Sequence, residues 1–191
     1  MSERNTALRS MHDLGLAAWF GGSLMGAVGL NTAARAEGGT WRNTARIASA
    51  GWARWTPVNA AAIGIHLVGG SGLLAVNASR VAAQKGVAAS AIAKTVLTGA
   101  ALAATAYSGV LGRKIALASS DSPDDMEEAA EHPIDTARAQ RDLAWVQWAL
   151  PAFTGGLIVL NALHGEQQRP AEQLQGILRR AGAVTPWCGM R

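Results

Sequence analysis

Four long apolar runs, each free or nearly free of charge, divide the chain. Leu14 to Ala34 is 21 residues without Asp, Glu, Lys, Arg or His. Thr56 to Ser79 is 24 residues with His66 as its only ionisable group, Thr95 to Gly112 is 18 without charge, and Leu143 to Leu163 is 21 more. An α-helix needs about 20 apolar residues to cross the hydrocarbon core of a bilayer. A helix on the surface of a water-soluble protein shows a charged face every third or fourth residue, and none of these runs does. The pattern therefore predicts an all-α fold: a four-transmembrane-helix bundle with spans at about 14–34, 56–79, 95–112 and 143–163. A four-helix domain over 1–169 and a short amphipathic tail over 170–191 follow.

The segments between the spans carry patterns of their own. Trp41, Ala45, Ala48, Trp52 and Trp55 fall at i, i+4, i+7, i+11 and i+14, with Arg42 and Arg46 beside the stripe. That periodicity predicts a short basic amphipathic helix lying in the interface, or else a bent extension of the second span. The tail repeats the device with Leu174, Ile177, Leu178 and Ala181, and Pro170 suits its first turn. The loop Ser119 to Asp142 holds eight of the thirteen acids. Within it Ser122-Pro123-Asp124-Asp125 reads as a helix start, with Ser122 as cap and Pro123 at the first position. No calcium-loop spacing accompanies the acids, so a solvated loop is expected and no metal site.

The second and fourth spans share an entry, Trp52-Ala-Arg-Trp55-Thr-Pro57 against Trp145-Val-Gln-Trp148-Ala-Leu-Pro151. Trp favours the headgroup boundary. Two parallel helices with the same entry put both Trp pairs at one face, so Trp41, Trp52, Trp55, Trp145 and Trp148 are expected as interface anchors. Pro57 and Pro151 then sit at helix starts, which argues against the broken helices of a transporter. Small residues recur at four-residue spacing: Ala18, Gly22 and Gly26 in the first run, Ala101, Thr105 and Gly109 in the third. These are contact ridges for close helix packing.

Composition sharpens this picture in two places. The 22 glycines and only two Phe among 191 residues suit membrane helices packed through small side chains. The formal charge of +4 comes from Lys and Arg flanking the apolar runs, not from one basic patch, so the lipid bilayer is the expected partner and nucleic acid is not. With the N-terminus inside, nine Lys and Arg fall on one side and eight on the other, which leaves orientation open. Arg4, Arg9 and Ala34-Arg35-Ala36 offer a signal-peptide alternative for the first run, but the stretch is long for that purpose and Asp13 stands at its start. The single cysteine, Cys188, allows no internal disulfide.

Ionisable groups inside a membrane are functional suspects because burying charge there is costly. His66 qualifies, read at mid-span, with Ala62 and Gly70 one turn to either side leaving room for a helix or a cofactor edge. A neutral imidazole ligates haem iron or relays protons; a His satisfied by a neighbouring helix is the plain alternative. His12 and His164 stand at the ends of the first and fourth runs, out of reach of a mid-span His66. His132 has no evident role. No catalytic set, phosphate loop or zinc signature is present.

The stretch His12-Asp-Leu-Gly-Leu-Ala-Ala-Trp19-Phe-Gly21-Gly22 resembles the opening helix of copper-resistance D-type membrane domains and of HemJ-like protoporphyrinogen oxidases. In the latter the His of that helix is associated with haem, so the resemblance implies His12 as a haem-associated position. It covers eleven residues, and the basic helix residues of that family are missing here. Gly51 to Asn59, Gly-Trp-Ala-Arg-Trp-Thr-Pro-Val-Asn, resembles membrane proteins of high-GC actinobacteria, which implies a bacterial cytoplasmic membrane and no particular activity. The expectation is a structural or accessory membrane protein that packs against a larger complex or itself. A haem- or metal-binding redox protein with His66 or His12 as ligand, and a small transporter, are the alternatives.

Overall fold

A computed structural model describes residues 5–83 and 85–167. The described residues are helical throughout, with short turns and no strand. Helix α1 (Thr6–Met25) runs through a π-helical turn (Gly26–Leu30) into α2 (Asn31–Gly38). Helix α3 (Trp41–Val76) follows, then the short α4 (Ala78–Ala83), the long α5 (Lys85–Ser119), the loop helix α6 (Pro123–Glu131) and α7 (Thr136–Gln167). Four stretches are long and apolar enough to cross a membrane: Thr6–Gly38, Trp41–Val76, Gly86–Ser119 and Thr136–Leu163. The chain divides into two compact units, the first ending at Ile158 and the second beginning at Val159. The expected tail helix and Cys188 lie outside the described residues, as does the His164 side chain.

The helices exceed the uncharged runs because charge does not stop a helix; a cap or a turn does. Gly39, at φ +66°, makes the turn between α2 and α3, a conformation that glycine adopts without a Cβ penalty. Thr40 then caps α3, its hydroxyl accepting from the Asn43 N–H at 3.3 Å. From there α3 is one helix of 36 residues. The Trp41–Trp55 stripe is thus its first part, the extension and not a separate interfacial helix. Pro57 and Pro151 lie well inside α3 and α7. This corrects their expected place at helix starts. Each withholds an N–H from the carbonyl four residues earlier. With both prolines inside helices, the argument they supplied against a transporter falls. Pro123 opens α6 as read, with Asp124 and Asp125 in its first turn, but Ser122 stands at the cap position without a side-chain capping bond.

Helices α1 and α3 pack antiparallel and closely. A Cβ built on Gly15 would lie 2.5 Å from the Ala62 carbonyl oxygen, and one on Gly69 would lie 2.5 Å from the His12 nitrogen and 2.6 Å from the Leu8 carbonyl oxygen. Only glycine allows backbones that near. Gly22 and Gly26 form notches that receive the indoles of Trp55 and Trp52. Those two Trp are therefore packing residues, whereas Trp41, Trp145 and Trp148 stay exposed. Leu30, ending the π-helical turn, packs into the space left by Gly51.

Hydrogen bonds tie in the other helices. Trp19, 1% exposed, donates from Nε1 to Thr105 Oγ1 at 3.2 Å, joining α1 to α5. Trp52 Nε1 donates to Asn31 Oδ1 at 3.0 Å, and Asn31 Nδ2 donates to Gln147 Oε1 at 2.8 Å, joining α3, α2 and α7. Tyr107 donates to Asp142 at 2.8 Å, joining α5 to α7. Ala45, Leu111, Ile115 and Ala139 form a small apolar core, with Leu143 against it.

Candidate functional site

The tight α1–α3 contact sets where the histidines fall. His12 is in the second turn of α1, and His66 lies ten residues before the end of α3. Antiparallel pairing through Gly15 and Gly69 brings them to the same level. Their ring centroids are 4.2 Å apart at an interplanar angle of 37°. The reading that His66 was beyond reach of His12 is therefore wrong. It took the middle of an uncharged run for the middle of a helix, and α3 begins fifteen residues before that run. The space foreseen beside Ala62 and Gly70 does admit a neighbour, and it is α1. The edge of the His12 ring lies over Gly70, with Cδ2 3.0 Å from where a Cβ would be.

Each ring has one nitrogen committed. His66 Nδ1 is 3.0 Å from the His12 backbone oxygen. A carbonyl can only accept, so Nδ1 carries the proton and Nε2 of a neutral His66 keeps its lone pair. His12 Nδ1 is 3.1 Å from Asp13 Oδ1, which assigns it the same tautomer. Trp19 meets His66 edge-on at 6.0 Å. The line Asp13, His12, His66, Trp19, Thr105 thus runs from an exposed carboxylate to a half-buried hydroxyl. His66 itself is 2% exposed.

This geometry limits the chemistry. A haem clamp separates its two axial imidazoles by the porphyrin plane, and rings in direct contact leave no layer for one. His12 and His66 do not fit such a clamp. Nor do three or more His, Cys, Asp or Glu side chains converge anywhere among the described residues in a way that would hold a metal ion. What the pair offers is two imidazoles in ring contact, each with its Nδ1 bonded to an oxygen of α1.

The other foreseen residues divide. Ala101 is fully buried, and Thr105 accepts from Trp19 of α1. Gly109 has nothing within 4 Å of a would-be Cβ. His132 ends α6 and caps it through its backbone. Two polar atoms had no signal in sequence: Trp55 Nε1 and Asn59 Oδ1 are buried, one turn apart, with no hydrogen-bond partner among the described residues.

No family model, curated protein or solved structure matches the chain. Fold and composition together define its class, an integral membrane protein with four candidate spanning helices.

Proposed function

We propose that the protein is a structural or accessory membrane subunit that docks laterally, through α5, onto a second membrane protein or another copy of itself. One observation carries this reading. Helix α5 presents Ile92, Val96, Gly99, Ala103, Ala106 and Val110 outward, a stripe at alternating four- and three-residue steps. Only 6% of its most apolar window is buried, against 33% for the first span. Small residues in such a seam let a partner helix approach closely. The outward seam lies beside Thr105, which is already used in the bond to Trp19 of α1. A bacterial cytoplasmic membrane as its home belongs to the same proposal.

The test is cross-linking in the membrane, with Ala103→Cys in a Cys188→Ser background. Disulfide-linked homodimer, or one discrete larger adduct, that weakens on Gly99→Ile supports the reading. Monomer in both variants under oxidation sinks it.

A second reading rests on the His12–His66 pair, which suits proton exchange near one end of the bundle. A visible spectrum of purified protein, taken with and without dithionite, separates it from the redox alternative. A Soret band that moves on reduction would replace proton exchange with haem ligation by a single histidine.

A further inference from the structure

At the end of the bundle where α2 turns into α3, the helices part around a cavity of about 340 Å³. All four spanning stretches contribute to it, with Trp41, Ala48, Ile115 and Leu143 among its apolar walls. Asn31 and Gln147 line it as well, two members of the hydrogen-bonded row Trp52, Asn31, Gln147. That row uses both ends of the Asn31 amide and the carbonyl of Gln147. The Gln147 amide N–H groups, the Gln140 side chain and Arg35 also line the cavity, and among the described residues no protein group accepts from them.

Charge decides what such a cavity would hold. Arg35 is the only charged side chain in the lining, and it makes no ion pair among the described residues. Arg42 stacks on Trp41, 5.4 Å above the ring, and adds a second cation at the rim. The neighbouring cavity, beside α6, makes a useful contrast. Its arginines are spoken for, Arg46 by Asp121 and Arg113 by Glu128, and Asp121 and Asp125 line it as well. Uncompensated positive charge therefore falls at the first cavity. Arg35 is also the first charge after the 21-residue run from Leu14, which places it at headgroup level in the membrane reading.

We propose that this cavity binds the head of an anionic amphiphile, either the carboxylate of a fatty acid or the phosphate of an acidic phospholipid. Arg35 meets the charge. Gln140 and Gln147 donate to the anion's remaining oxygens. The first carbons of the chain lie against Ala48 and Leu143. A volume of about 340 Å³ is at the low end for ligand pockets, enough for a head and the start of one chain, not for a whole lipid.

The experiment is native mass spectrometry of the full chain, released from detergent, with three probes: oleate, dioleoylphosphatidylglycerol and dioleoylphosphatidylcholine. One-to-one binding of oleate or of phosphatidylglycerol, about tenfold or more tighter than phosphatidylcholine, is the expected result. The stronger of the two names the source of the anion. Arg35→Gln abolishes the preference, and Ala48→Phe, which fills the cavity, weakens binding of the preferred probe. Arg35 is exposed, so its variant keeps the fold, as circular dichroism will verify. Equal affinity for all three probes overturns the proposal. So does a preference that survives Arg35→Gln, or binding that Ala48→Phe leaves unchanged.

Discussion

Gly69 of α3 and His12 of α1 meet backbone to backbone, with 2.5 Å between the His12 nitrogen and the point where a Cβ would sit on the glycine. Backbone cannot swing aside as a long side chain can. Gly69→Val should therefore cost at least about 2 kcal/mol in a reversible denaturation of the detergent-solubilised protein. Gly21, with nothing within 4 Å, is the control, and Gly21→Ala should cost nothing. Equal losses at the two positions would show that this contact does not govern stability.

The bond from Trp19 to Thr105 should be measurable as a coupling. Trp19→Phe and Thr105→Val each remove one partner. In a double-mutant cycle they should be non-additive by about 0.6–1.5 kcal/mol, the range of a buried interhelical hydrogen bond. Strict additivity would place the indole and the hydroxyl apart.

Asn59 offers a test of opposite sign. Its Oδ1 is buried without a partner, a costly arrangement that an apolar side chain of similar volume removes. Asn59→Leu should raise stability by about 1 kcal/mol, read as a higher Tm. A lower Tm would mean that the amide is satisfied, for instance by an internal water.

The tautomers of the histidine pair are open to nitrogen NMR. Long-range proton–nitrogen correlations on histidine-labelled protein at neutral pH should show Nδ1 protonated and Nε2 bare in His66. A neutral ring with the reverse assignment would remove the bond to the His12 carbonyl, and with it the reason for the ring's orientation.

What could be read from sequence, and what could not, follows from the kind of signal each feature leaves. An uncharged run of 18 to 24 residues is a direct statement about solvent, and it located all four spans. It says nothing of where a helix begins. Lys94 and Arg54, which bounded two of the runs, are both interior to helices, α5 and α3. Depth inferred from the runs was accordingly wrong, and the His12–His66 contact was missed with it. Gly22 and Gly26 are marked for packing in sequence because the absence of a side chain is visible there. That indoles, not a helix backbone, would fill their notches was not visible. The ridge at Ala101, Thr105 and Gly109 failed at its third member because four-residue spacing drifts around a helix of 3.6 residues per turn. Gly15 and Gly69, where the helices come closest, went unnamed, because an isolated glycine looks like every other.

The unbroken length of α3 has one more consequence. At 1.5 Å per residue its 36 residues extend about 54 Å, against a hydrocarbon core of about 30 Å. To hide all of it in lipid, the helix would have to lean by about 56°, beyond the 0–40° that spanning helices adopt. A rigid stub must therefore stand clear of the acyl chains. With Gly39 turning the chain at the Trp41 end, that stub is a two-helix post that lifts Arg35 and Arg42, unpaired among the described residues, and the Arg46–Asp121 pair, off the acyl region.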